Sequence, residues 1–289
     1  MKATAFAPGH VSGFFEPVYI DQNFDRSGSR GSGINISLGA TSQVTVVKST
    51  KQNFDIFLNN KMAKAPVTRL AIQYLLGNTS LDVKVNTILD LPVGQGFGMS
   101  AAGALSATYA LADILDIPKE HAIKSAHYAE VQLRTGLGDV VASSFGGIEL
   151  RKEAGLPPWG IIEHIPGQYE LLLCVIGESI VTKKILTDST KINNIIQYGR
   201  YCMKKILKNP SVTNLFTLSQ FFTIKTGLAN ERVLKAIDAA KRYGMASMCM
   251  LGNSIFSIGN DIDKLNKILS SFGKIYTCNV DRNGVRILE

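Results

Sequence analysis

With 289 residues the chain is long enough for two modest domains or one large one, and 45% hydrophobic with 19% charged residues is the balance of an ordinary globular protein. No apolar run approaches the ~20 residues of a membrane span and no N-terminal stretch has a signal-peptide layout, so no membrane partner and a cytoplasmic location are expected. Four cysteines (Cys174, Cys202, Cys249, Cys278) form no C-x-x-C pair and have no histidine at ligand spacing, which argues against a cysteine metal site or a disulfide framework.

The formal net charge of +8 suits either nucleic acid or an anionic substrate. Lys191, Arg200, Lys204, Lys205 and Lys208 carry part of it and read as a solvated helix face, so no nucleic-acid partner is expected.

Lys2 to Ala7 alternates as a short strand, breaks at Pro8-Gly9-His10 and resumes from Val11 to Glu16. A glycine/serine cluster from Ser27 to Gly33, with Arg30 inside it, is either a flexible linker or an ordered binding loop. Ile34 to Leu38, Thr41 to Val47 and Phe54 to Leu58 are strand-like. Pro66 opens a helix that Gly77 ends. Leu81, Val83 and Val85 alternate with Asp82, Lys84 and Asn86, the period of a half-buried strand.

Asp90 to Leu115 then reads DLPVGQGFGMSAAGALSATYALADIL. Three glycines at alternate positions precede a serine and an alanine-rich helix. Strand, glycine turn and helix N-terminus together make an anion site, because glycines let the backbone approach a ligand and the helix's first N–H groups point at it. No lysine follows the last glycine, so this is not a Walker A loop, and G-x-G-x-G is not the dinucleotide fingerprint. The stretch is either a phosphate cradle or a tight turn against a buried helix.

After Ile117-Pro118, Lys119 to Arg134 is helical, with Ala122, Ile123, Ala126, Ala129 and Leu133 as its buried stripe. His127, Glu130 and Arg134 share one face, as a surface salt-bridge row or as part of a site. Asp139 follows the Gly136-Leu137-Gly138 turn as an expected N-cap, ahead of helix Val140 to Phe145, Gly146-Gly147 and strand Ile148 to Arg151. Gly155 to Gly160 is the expected boundary, dividing the chain into 1–156 and 157–289. Beyond it the order is strand Tyr169 to Ile176, helices around Lys191 to Leu207, Val212 to Lys225 and Glu231 to Tyr243, strands Ala246 to Leu251 and Ile255 to Ile258, helix Ile262 to Phe272 and strand Lys274 to Asn279. That order predicts an α+β, ferredoxin-like packing.

Pro8-Gly9-His10-Val11-Ser12-Gly13-Phe14-Phe15-Glu16 resembles the first motif of the GHMP kinases (galacto-, homoserine, mevalonate and phosphomevalonate kinases). Pro92 to Ala102 is similar to their second motif, the P-x-G-x-G-L-G-S-S-A-A phosphate loop. Gly138-Asp139 ahead of Gly146-Gly147 resembles the segment carrying their catalytic aspartate, and Ser247 to Asn253 stands in place of their third motif. Within the superfamily, the first motif, the Gly28 to Gly33 run and the third motif are similar to the archaeal pantoate kinase branch.

The resemblance implies a two-domain α+β GHMP fold, an N-terminal ATP-binding domain with a C-terminal ferredoxin-like one, and ATP and Mg2+ as cofactors. It places Pro92, Gly94, Gln95, Gly96, Phe97, Gly98, Met99, Ser100 and Ala101 around the ATP phosphates, Ser100 and Glu130 on Mg2+, and Asp139 against the proton of the attacking hydroxyl. It also implies a homodimer. Pantoate carries a carboxylate, for which Arg151 is the first candidate because a guanidinium grips it with two hydrogen bonds. His127 and Ser29 come next, then His10, which stands where many relatives carry lysine.

Met99 departs from the usual first serine of the phosphate loop and Phe97 from the common leucine, and the third motif keeps one glycine, Gly252. Two alternatives stand beside this reading: another GHMP kinase of homoserine or mevalonate type, and a basic RNA-binding protein. The latter gives no reason for Ser100, Glu130 and Asp139 to occur together.

Overall fold

The computed structural model describes residues 1–180 and 182–288. The first sheet is built from β1 (Lys2–Val18), β2 (Gly28–Lys48), β3 (Asn53–Leu58), β4 (Lys61–Met62), β5 (Leu81–Leu89), β6 (Ile148–Glu153) and β7 (Ile161–Ile165), covered by α1 (Pro66–Leu76), α2 (Met99–Ile114), α3 (Lys119–Leu133) and α4 (Asp139–Phe145). The second part follows as β8 (Glu170–Val175), α5 (Thr182–Leu186), α6 (Ser189–Ile206), α7 (Val212–Thr226), α8 (Glu231–Ala240), β9 (Gly244–Met248), β10 (Ser254–Gly259), α9 (Ile262–Leu269) and β11 (Lys274–Asn279). Finally β12 (Arg286–Ile287) returns to β1.

The order in the first sheet is β12-β1-β2-β5-β3-β4, with β6 on the first half of β2 and β7 on β6. The second sheet, β11-β8-β10-β9, is antiparallel throughout and has the ferredoxin-like order. The fold is α+β, as expected. The hairpin of β6 and β7 spans the expected boundary at 156, so residues past it still complete the first sheet.

α2 is buried on nearly every side, which its alanines permit by letting neighbouring backbones approach. Its Ser106 Oγ lies 2.7 Å from Ser42 Oγ, itself 2.8 Å from Thr87 Oγ1, tying helix to sheet in a satisfied buried triplet, and its Thr108 Oγ1 donates to the Ala122 carbonyl of α3 at 3.1 Å. One apolar core runs from Ile34 and Leu105 through to Leu172 and Phe256, so the two sheets share it.

Three local expectations change. Pro8 to His10 does not break the first strand: β1 runs through, absorbing the irregularity as register shifts at Pro8/Gly9 and Ser12/Phe14. The cluster from Ser27 to Gly33 is neither linker nor loop. From Gly28 it is the start of β2, paired with β1 on one side and, at Gly31 to Ile34, with β6 on the other. Nor do His127, Glu130 and Arg134 form a surface row, since His127 and Glu130 are buried and only Arg134 is exposed, its guanidinium over the Tyr19 ring.

Behind α4, Gly147 N–H donates to the Asp281 carbonyl at 2.6 Å and Asp281 N–H to the Asn35 carbonyl at 2.8 Å. A stretch late in the chain thus braces the helix that begins at Asp139.

Candidate active site

The loop from β5 into α2 turns through Gly94, Gly96 and Gly98, with φ of 76°, 75° and 65°, a region closed to most side chains. Gly98 is the N-cap of α2, no side chain caps it among the described residues, and the first turn contains no carboxylate. The first N–H groups of the helix, without intrahelical acceptors, are therefore presented to an anion.

The loop is held from below. Gln95 Nε2 donates to the Gly177 carbonyl at 2.8 Å, Ser254 Oγ donates to the Gln95 carbonyl, and Ile180 N–H donates to the Gly94 carbonyl at 2.8 Å. A Cβ on Gly96 would stand 2.7 Å from the Cys249 carbonyl oxygen. The turn at Cys249 to Asn253, the expected third motif, thus packs beneath the phosphate loop, while Met250 and Leu251 also reach the cavity.

The cavity in front of the loop has a volume of about 230 Å3. Gly94, Gly96, Phe97, Gly98, Met99, Ser100 and Ala101 line one side, and Glu130, Asp139 and Ser29 line the other. Pro92 and Gln95 do not line it, and neither do His10, His127 and Arg151, which lie buried behind its wall. Met99 sends its side chain into the core, where a Cβ on Gly9 would stand 2.7 Å from Met99 Cε. The residue that replaces the usual serine is therefore a packing element at that position.

Asp139 is the first residue of α4 rather than its N-cap, a place taken by Gly138. Its carboxylate makes no cap and instead reaches back, with Oδ1 at 2.7 Å from His10 Nδ1. The His10 ring has no solvent exposure, and its Nε2 lies 2.9 Å from Glu149 Oε1. Arg151 Nη1 donates to that same Glu149 oxygen, and Arg151 Nε donates to the Ser29 carbonyl at 3.3 Å. Burial works against a charged His10, but the Asp139 and Glu149 carboxylates outweigh it and hold the imidazolium above its ordinary 6.5. Arg151 Nη2 and Glu149 Oε2 are buried without a hydrogen-bond partner among the described residues.

Glu130 is buried beside this chain of charges, accepting from Val140 N–H at 3.4 Å through Oε2. Burial, and then the neighbouring Asp139, push its carboxyl well above the ordinary range, opposed by the Val140 N–H and by Arg151. A carboxylate so destabilised is one a cation would relieve. With the Ser100 hydroxyl at the same cavity, it offers the hard oxygen donors that suit Mg2+. No group of three His, Cys, Asp or Glu side chains able to hold a metal occurs among the described residues.

His127 has Nε2 at 3.0 Å from both the Phe24 and Ser27 carbonyls, so that nitrogen carries the proton. Burial lowers its pKa and keeps the ring neutral. It pins the turn that leads into Ser29. Glu149 was not among the sequence candidates, and neither were Ser12 and Thr135, which line the cavity. The only local sign of Glu149 is a charged residue between two apolar ones in a strand buried on both faces.

The family model described as GHMP kinases N terminal domain matches residues 60–147. A pantoate kinase of Methanocaldococcus jannaschii is 34% identical over 95% of this chain and 99% of its own length. A pantoate kinase of Methanospirillum hungatei is 32% identical over 99% of this chain and 96% of its own. Among solved structures, a phosphotransferase related to the CoA biosynthesis pathway superposes with a TM-score of 0.90 at 27% identity, covering 100% of this chain and 99% of that one.

Proposed function

The chain belongs to the GHMP kinases, and from that premise we propose that it is a pantoate kinase, moving the γ-phosphoryl group of ATP to the 4-hydroxyl of pantoate. The observation that carries the reaction class is the convergence of the α2 N-terminus, Ser100, Glu130 and Asp139 on one cavity. Phosphoryl transfer asks chiefly for positioning and charge neutralisation, and this convergence supplies both. The similarity to pantoate kinases over nearly the whole chain supplies the acceptor.

Residues 94–101 take the triphosphate with backbone N–H groups. Ser100 and Glu130 hold Mg2+, which when bound neutralises phosphate charge. Asp139, with Oδ1 engaged by His10, turns Oδ2 to the acceptor hydroxyl, orients it and takes its proton as the new O–P bond forms and the bond between the γ-phosphorus and the bridging oxygen breaks, the electron pair leaving on ADP.

Arg151 sits directly under the wall at Gly138, where a Cβ would stand 2.8 Å from its Nε and would also meet Ser29 Oγ. From behind that wall Arg151 Nε donates to the Ser29 carbonyl, and His127 holds the turn ahead of it, so Ser29, which lines the cavity, is the group we assign to the substrate carboxylate, with Arg151 positioning it. We take the working form to be a cytoplasmic homodimer, each chain organised in two units, the first of which extends past residue 156 to take in β7.

The test is ADP release with pantoate, homoserine, mevalonate or no acceptor. Pantoate-dependent release is expected. Preference for homoserine or mevalonate would overturn the acceptor assignment, and acceptor-independent or absent turnover with all of them would overturn the kinase reading.

A further inference from the structure

His10 is enclosed, and each of its ring nitrogens faces a carboxylate oxygen at hydrogen-bond distance, Asp139 Oδ1 at 2.7 Å and Glu149 Oε1 at 2.9 Å. A neutral imidazole has one N–H and one lone pair. Whichever nitrogen lost its proton would set that lone pair against a carboxylate oxygen in a site without water access, where like partners repel strongly.

A protonated Glu149 does not resolve the conflict. Arg151 Nη1, which cannot give up its charge, donates to the same Oε1, so that oxygen is already an acceptor of an ionic bond. Arg151 Nη1 and His10 Nε2, 3.5 Å apart, are two donors converging on one oxygen.

We propose that Glu149 is a positioning residue that holds His10 with a proton on both nitrogens, making a histidine serve as a standing cation behind Asp139. Asp139 is thereby held by its Oδ1, with Oδ2 left free for the acceptor. The titratable groups that face the ring from the elements packed around it are Asp139 on α4 and Glu149 with Arg151 on β6, with Glu130 on α3 behind Asp139. From β2 the contact is Gly33, where a Cβ would stand 2.5 Å from His10 Nε2 and 3.1 Å from Glu149 Oε1, so the strand leaves the pair its space.

The proposal rests on the kinase reading only for its kinetic consequence, so the test has two arms. In the first, ring-nitrogen NMR is recorded on histidine-labelled wild type and Glu149→Gln across pH, with His10→Gln to identify the signal. The wild-type His10 ring is expected to show two protonated nitrogens at neutral pH and to keep them above 6.5. In Glu149→Gln the transition falls by about one pH unit or more.

In the second arm, the alkaline limb of the kcat profile moves down with the ring in Glu149→Gln, while the KM for ATP stays put. The double variant Glu149→Gln/His10→Lys, whose amine needs no second carboxylate to stay charged, moves the limb back up. A neutral wild-type ring at pH 7, or the same ring transition in both proteins, overturns the proposal even if no acceptor is turned over. A limb that stays fixed while the ring shifts overturns its role in positioning. Should Glu149→Gln fail to fold, the wild-type titration still decides.

Discussion

Glu130 and Asp139 converge on the same side of the Gly136 backbone: a Cβ there would collide with Glu130 Oε1 and stand 3.2 Å from Asp139 Oδ2. Two carboxylates so placed, one of them buried, favour a bound cation and disfavour its absence. Glu130→Gln should therefore act in opposite directions on stability and activity. Without metal it removes a carboxyl that is costly to ionise, and the Tm should rise by about 2–4 °C. With ATP and pantoate, the Mg2+ concentration for half-maximal rate should rise at least about tenfold. Calorimetric melting in chelator and a magnesium titration of the rate check the two halves.

Asp139→Asn keeps the size and the start of α4 but removes the proton acceptor. Turnover should fall by about 100-fold or more, while ATP affinity by titration calorimetry stays close to wild type, because the nucleotide loop is held by Gln95, Ser254 and Ile180 and not by Asp139. Near-wild-type turnover would remove Asp139 from the chemistry.

Met99→Ser restores the residue usual in the phosphate loop of relatives but empties a core position. Met99 is 3% exposed. The substitution should cost about 2–4 kcal/mol in urea unfolding and leave the ATP KM little changed in the folded fraction. A variant as stable as wild type would show that the side chain is not a packing element.

The two buried histidines shift in opposite directions from the ordinary 6.5. His10 is raised, so its stabilisation is complete below 6.5 and is lost as pH climbs through its folded value. His127 is lowered, so its stabilisation is complete above 6.5 and is lost as pH falls through its folded value. Unfolding free energy should therefore be greatest near pH 6.5. His127→Gln should flatten the acid side of that maximum and His10→Gln the alkaline side, as measured by denaturant titrations at stepped pH.

Much of the site was legible because it is local. Gly94 to Ser100, the start of α2 and the turn ahead of Asp139 are each written in consecutive residues, and their chemistry follows from glycine conformations and helix ends. What was not legible depends on distance. Glycines 31 and 33 read as part of a linker or a binding loop, yet they are where β2 makes room for the side chains of Arg151 and His10. The periodicity of α3 marks Ala122 and Ala126, but it cannot say that His127 and Glu130 will also be covered, since that is decided by the Phe24 to Ser27 turn and by α4. Glu149 carries no local mark beyond a charge set between two apolar neighbours, because what gives it a role is a histidine on β1, 139 residues away.

The strand nearest the start of the chain pairs with β12, Ala5 opposite Ile287 and Phe6 opposite Arg286, and residues just before β12 brace the far end of α4. On the ribosome, the first sheet waits for β12 until about 280 residues after Ala5 of β1 have been made. The phosphate loop can form only once the Cys249 to Asn253 turn has arrived to support it, and the backing of Asp139 later still. Such a nascent chain keeps an edge of its first sheet uncovered until those later segments emerge, and it gains the ability to spend ATP only after them.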